Sequence, residues 1–540
     1  MDKNTSIFVR QSTGLVREAS FLDTAIFTAA FSAPVGVTLA FGVFWALGAF
    51  PGTDIVLATA LSIVLDIPIL IMMAYMASSM PRTGGDYIWV SRIISPPIAV
   101  ISNFAAALSA CIGAAYWARV WASMCIGPSF TILGNVLNNK VLANIGKIAG
   151  TSGWTYFFAI FLTLILALSL SAGTKKMFKI QNICFFIGMG GTLLAFLVFI
   201  FGNQTTFIGN FNHFAQQFTN SSNSYKMIIE NAKAAGLTLM ASHSFSATLP
   251  TIGCIMTFML WNFWSVYLAG EMKSAGNRKR QLSIMLTALL WDAGFIIIGA
   301  LLLFRVAGYN FVQSINFLYS NAPNKYPLPV PPYYNLFAGM ITKNSIINIL
   351  IAITFLFWNL PAMVGNTFMP IRTLFAWSFD RILPEKLSEV NEKTHSPIPA
   401  IIVITTLVVA IITWSTFSSS FFTLLSLGVV CGIIVISIVS ISAIMFPYVQ
   451  KDLYKSSPAN VNLFGIPVLV ITGVLSLLVM GLLTYLLVMY PALGISSPKL
   501  IIEFVAAVIL IGLAIYYSSY IIQKRKGIDI NLAYKELPPE

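Results

Sequence analysis

Apolar runs close to 20 residues long recur along this sequence from one end to the other, and no other property limits its fold so tightly. A helical run of that length, rising about 1.5 Å per residue, spans the hydrocarbon of a bilayer. Inside lipid every backbone donor and acceptor must be satisfied by the chain itself, which leaves helices or a closed barrel. The runs are continuous rather than alternating in polarity, so they read as helices. Composition agrees: 57% of the residues are apolar and 9% are Asp, Glu, Lys or Arg, against roughly a quarter charged in a soluble domain. A soluble enzyme is excluded.

Counting the runs predicts an all-α integral membrane protein of about twelve transmembrane helices. They fall at 23–50, 54–79, 94–126, 154–172, 181–201, 249–270, 283–304, 345–369, 399–416, 420–447, 467–490 and 499–522. Residues 1–22 and 524–540 read as tails. The first apolar stretch is too long, and too free of a small-residue cleavage site, for a removed signal. With both tails inside, 22 of the 31 Lys and Arg fall in the tails and in alternate loops on one side, the bias that marks the cytoplasmic face of a multi-pass cell-membrane protein. That bias also accounts for the net charge of +13 without a nucleic-acid partner. The lipid bilayer and a small-molecule substrate are the partners expected, and the sequence does not fix an oligomeric state. The five cysteines lie inside apolar runs with no C-x-x-C spacing, so no disulfide framework, metal site or organic cofactor is expected. The external loop 202–248 is rich in Asn, Ser and Thr and carries two sequons, at Asn203 and Asn220. Its stretch 225–240 has helical spacing, whereas the Pro-rich 321–334 reads as extended.

Two spans are interrupted. Ser32-Ala33-Pro34-Val35-Gly36 divides the first. Proline removes a donor and clashes with the preceding turn, and glycine permits the break. A break at membrane depth survives only where it is buried in protein or lines a cavity. The freed carbonyls of Ala30 to Ser32 then suit a cation, and the amides of Val35 to Val37, heading the second half-helix, suit a carboxylate. The sixth span runs from Pro250 through Phe258 to Trp261, Asn262 and Trp264. Its Asn262 amide, buried among aromatics, needs a hydrogen-bond partner on a helix, a water or a ligand. Interrupted helices heading two halves of a membrane protein point to the central site of an inverted-repeat transporter.

Met80-Pro-Arg-Thr-Gly-Gly-Asp-Tyr-Ile-Trp-Val-Ser-Arg92, directly after the second span, closely resembles the inner-loop signature of the amino acid-polyamine-organocation transporter family. Ala269-Gly-Glu-Met-Lys-Ser274 and Pro370 to Pro384, followed by Ser396-Pro-Ile-Pro-Ala400, are similar to two further stretches of that family in the same order. The resemblance covers roughly residues 13 to 450. It implies a core of 23–450 built from two five-helix inverted repeats with broken spans one and six, and it leaves spans eleven and twelve, with the segment 451–523, as an addition. It implies secondary active transport of amino acids by alternating access, with a polyamine or organic-cation carrier or an amino acid exchanger as the other readings. A channel would need a charged pore ring or filter and a receptor a signalling domain, and neither is seen. An embedded enzyme would need converging catalytic groups, which the three scattered histidines do not supply. The substrate-binding residues implied are Ala30, Ser32, Pro34, Val35, Gly36, Val37, Phe258, Trp261 and Asn262. Arg82, Gly84, Gly85, Asp86 and Glu271 belong to an inner loop and gate.

A proton or a sodium ion is the expected coupling ion. Asp66 and Asp292 are acids inside spans, where an ionisable group costs about 2.5 to 3.5 kcal/mol and therefore marks a pathway or a structural pair. For sodium, the hydroxyls of Thr354 and Thr367 beside span-one carbonyls are the corresponding expectation.

Overall fold

The computed structural model describes residues 17–31, 43–219, 221–239, 242–418 and 421–534. Among them the chain is helical almost throughout, with one two-stranded antiparallel sheet, Asn462–Leu463 on Ile466–Pro467. Eleven helices among the described residues are long and apolar enough to cross a membrane. They are span two (Ile55–Ser79), three (Pro96–Val136), four (Ser152–Ser171), five (Thr174–Phe201), six (Phe245–Leu268) and seven (Arg278–Ala307), then eight (Ser345–Phe379), nine (Ile398–Phe417), ten (Thr423–Val449), eleven (Val468–Met489) and twelve (Pro498–Arg525). Span one is described as two helices, Phe21–Phe31 and Val43–Ala49. The expected break at Ser32, Pro34, Val35, Gly36 and Val37 lies between them, outside the described residues. The protein is an all-α membrane protein, as the runs predicted.

Several helices outrun their apolar segments. Span three continues ten residues past the expected end at 126, because its chain winds as a π-helix over Trp121–Ile126 and then resumes at Gly127 with Pro128 in the first turn, where proline is tolerated. Span seven begins with Arg278, Lys279 and Arg280, and span eight runs on through Arg372 to Phe379. Their polar ends extend the helices beyond the apolar stretches that hydropathy registers. Asp54, Ser244, Asn277 and Asn344 cap spans two, six, seven and eight by accepting from backbone N–H groups, which satisfies donors that a helix start leaves open.

Span two packs along span seven, three along eight, and four along nine. That offset of five is the one two five-helix repeats would produce. Span six is the centre: the whole of its most apolar stretch is buried, against 17% of that in span twelve, which faces outward with span eleven. The loop between spans five and six contains helices Gln204–Ala215 and Ser224–Ala234, the second where helical spacing was read, and 322–333 holds only a short turn at Pro323–Lys325.

Both described chain ends are fastened to one face. Ala19 pairs with Met272 in a parallel bridge, donating to the Glu271 carbonyl at 3.0 Å and accepting from Lys273 N–H at 3.1 Å. At the other end the short helix Ile530–Tyr534 buries Ile530, Ala533 and Tyr534 beneath the loop after span two.

Candidate functional site

Span six is the helix that makes the site. Its α-helix ends at Met259, residues 260–263 form turns, and a single 3-10 stretch, Trp264–Leu268, completes it. The break thus falls at 260–263, around Trp261 and Asn262. Beside it lies a cavity of about 40 Å³, room for roughly three waters. Its walls are Phe31 at the end of the first half of span one and Thr257, Phe258 and Trp261 of span six. Span three contributes Ser109, Ile112, Gly113, Tyr116 and Trp117, span eight Asn366, and span ten Leu425, Gly428 and Val429.

Aromatic packing fixes the break in place. Phe31 stacks on Trp264 with ring centroids 4.1 Å apart and meets Trp261 edge-on at 5.9 Å. Trp264 Nε1 donates to the Gly365 carbonyl of span eight at 3.1 Å, and Trp261 Nε1 to the Thr257 carbonyl at 3.0 Å. Phe258 and Trp261 line the cavity. Asn262 does not line it: its Nδ2 donates to the Met259 carbonyl at 3.0 Å, and its side chain lies within interaction distance of Asp66. Ala30 is buried one residue before the cavity wall begins at Phe31.

Both carboxyl oxygens of Asp66 are buried in span two. Asp292 is buried in span seven, the helix along which span two packs. The two expected sodium hydroxyls are not brought together. Thr354 Oγ1 donates to the Leu350 carbonyl at 2.6 Å and abuts Gly191 of span five so closely that a Cβ there would collide with it. Thr367 Oγ1 donates to the Met363 carbonyl at 2.8 Å. The span-eight residue against the end of span one is Gly365, where an added Cβ would lie 2.9 Å from the Phe31 ring, about three turns from Thr354.

The face carrying the chain ends holds a second polar cluster. Arg372 of span eight forks onto Glu271, Nε to Oε1 at 2.5 Å and Nη2 to Oε2 at 3.0 Å, with both side chains at most 4% exposed. Thr174, in the first turn of span five, donates to Glu271 Oε2 at 3.0 Å. The Arg372 guanidinium lies 4.3 Å from the centre of the Phe368 ring. Next to this pair, Gly84 and Gly85 adopt φ of +112° and +52°, and a Cβ on Gly85 would stand 2.7 Å from the Tyr267 ring. Only glycine meets both demands. The tight turn points Asp86 inward, where Ser102 Oγ donates to it at 2.6 Å and Asn103 Nδ2 at 2.8 Å. Burial pushes the Asp86 carboxyl up to about 6, and these donors with the Tyr267 hydroxyl keep it from rising further. Tyr87 OH donates to Asp380 Oδ2 at 2.8 Å and shares a 3.1 Å hydrogen bond with Tyr534. Arg82 opens the loop, its Nη1 donating to the Pro81 carbonyl. The five residues expected at an inner loop and gate therefore lie on one face, and Arg372, Thr174 and Tyr534 join them.

A family model described as amino acid permease matches residues 21–514. The chain belongs to the amino acid permease family. This is the family, within the amino acid-polyamine-organocation superfamily, that the loop after span two resembled, and the match reaches into span twelve, beyond the 450 to which the resemblance extended. The permease is a transporter of the membrane and not an enzyme. No curated protein matches the chain.

The cavity walls of the permease include residues that the sequence reading missed, chiefly on spans three and ten. Ser109, Ile112, Gly113, Tyr116 and Trp117 recur at helical spacing on one face, with small residues followed by aromatic ones. That pattern was the available signal, since small residues admit close approach between membrane helices. Gly428 and Val429 offered none, lying in an unbroken apolar run.

Proposed function

We propose that the permease moves amino acids across the cell membrane by alternating access through the cavity at the span-six break, driven by an ion gradient. The observation that carries this is the cavity itself, walled by spans one, three, six, eight and ten and lying against a helix that is interrupted there. A zwitterion needs a positive and a negative pole in a site without water. Backbone supplies both: amides at Val35 to Val37 take the carboxylate, and carbonyls of Ala30 to Ser32 and of the span-six break take the ammonium. Phe258 and Trp261 close over the bound molecule. The tail-bearing face, with its excess of Lys and Arg, is cytoplasmic, and Glu271 with Arg372 closes the path on that side.

The proton is our choice of coupling ion and Asp66 its carrier. Span two is buried at Asp66, the residue lies beside Asn262 at the break, and Asp292 on the neighbouring helix is the second acid within reach of the same bundle. Protonation of Asp66 changes what Asn262 meets, next to the residues that hold the substrate. Uptake of labelled amino acids into proteoliposomes tests both parts. Accumulation that follows an imposed pH gradient, persists without sodium and is lost in Asp66→Asn supports the reading. Accumulation that needs sodium and survives Asp66→Asn moves coupling to Thr367 and the span-one carbonyls. Absence of uptake and of exchange removes the transport reading.

A further inference from the structure

We infer that the central site selects neutral amino acids with short side chains, and that Gly428 of span ten sets the upper size limit. This rests on the transport reading above and adds the class of substrate to it.

Charge is decided by what the walls lack. None of the described lining residues is Asp, Glu, Lys, Arg or His. A lysine, glutamate or polyamine would bury a further charged group with no described lining residue to pair it, and an unpaired charge away from water is strongly disfavoured. The polar side chains on the walls are also turned inward on the protein. Ser109 Oγ donates to the Gly428 carbonyl at 3.0 Å, Thr257 Oγ1 to the Gly253 carbonyl at 2.8 Å, and Asn366 Nδ2 to the Ala362 carbonyl at 2.8 Å. Asp66, the carboxylate that would suit an organic cation, stands behind Asn262 and not on the lining.

Size is decided by two glycines with opposite roles. A Cβ on Gly113 would collide with Asn366 Oδ1, so the missing side chain there is already occupied by a neighbour. A Cβ on Gly428 would lie 3.5 Å from Ile112 Cγ2 and 3.6 Å from Ser109 Oγ, which is ordinary contact. Alanine therefore fits at 428 without displacing anything, and its methyl takes space from the cavity. The bond from Ser109 to the Gly428 carbonyl ties spans three and ten at this level, so the wall does not recede to compensate. With about 40 Å³ available, a methyl group there is a large fraction of the room for a substrate side chain.

The test uses full-length protein in proteoliposomes, with uptake of labelled glycine, alanine and valine and competition by leucine, phenylalanine, lysine, glutamate and putrescine. In the wild type, glycine and alanine are carried best, and lysine, glutamate and putrescine do not compete. Gly428→Ala lowers valine uptake relative to glycine uptake by about tenfold or more, the effect of one methylene group in an apolar pocket. Ile112→Ala acts in the opposite sense and raises valine and leucine relative to glycine, which keeps the inference testable if Gly428→Ala does not fold. Transport of lysine, glutamate or putrescine as fast as alanine overturns the inference and leaves the transport reading intact. Variants that scale all substrates equally overturn the assignment of Gly428. A protein that carries or exchanges none of these compounds refutes the transport reading and this inference with it.

Discussion

Breaking the Glu271 and Arg372 pair from one side is expected to destabilise the protein more than removing it altogether. The two side chains are at most 4% exposed and joined by two hydrogen bonds, with Thr174 donating to the same carboxylate. Glu271→Leu leaves a buried guanidinium with the Phe368 ring and Thr174 beside it, and Arg372→Met leaves the buried carboxylate with the Thr174 hydroxyl as donor. Stranding one member of such a pair costs about 3 to 5 kcal/mol, whereas replacing both by apolar residues of similar volume is often close to neutral. The assay is thermal unfolding of purified protein in detergent, comparing the two single variants with Glu271→Leu/Arg372→Met. A protein with this many spans does not unfold in two states, so the readout is the order of the apparent midpoints rather than a free energy. Both single variants should melt well below the wild type and the double variant should recover most of the loss. A double variant as unstable as the two single losses combined would falsify the coupling, and single variants that melt like the wild type would show that the pair contributes nothing.

Three further outcomes are expected. Gly36→Leu should abolish uptake while leaving membrane insertion and elution profile unchanged, because a bulky side chain fills the backbone site; full activity removes that site. Gly85→Ala should lower the yield of monodisperse protein sharply, since backbone strain of about 1 to 3 kcal/mol adds to a collision with Tyr267; a wild-type yield would contradict the φ of +52°. Asp86, whose carboxyl is raised to about 6, binds its proton more tightly folded than unfolded, so ionising it costs stability as pH rises. Between about pH 5 and about pH 7 that loss is roughly 1 kcal/mol. The apparent midpoint should fall over this interval in the wild type and fall less in Asp86→Asn; identical slopes would rule Asp86 out as the source.

Elements that depend on local composition were readable from the sequence, and those that depend on partners were not. The apolar runs and the glycine pair before Asp86 each follow from propensities within a few residues. The continuation of span three past residue 126 escaped because Gly127 and Pro128 look like a stop, yet fall at the start of a new helical register. The surroundings of Thr354 were not readable because its side chain abuts Gly191, a neighbour from span five that its own helix does not reveal. Arg372 stood in the sequence as one more positive charge of an inner loop. Its place in a buried pair with Glu271 comes from the crossing of spans six and eight.

The docking of residues 530–534 also carries a consequence for the order of assembly. Tyr87 shares its hydroxyl with Tyr534, and Arg92 donates to the Ala533 carbonyl at 3.1 Å and lies over the Tyr534 ring. Synthesis runs from the N-terminus, so the loop after span two emerges more than 400 residues before the segment that covers it. Until residues 530–534 arrive, that loop waits without its cover while the other spans enter the bilayer. A pause or truncation late in translation would thus leave its mark on one of the earliest loops to be made.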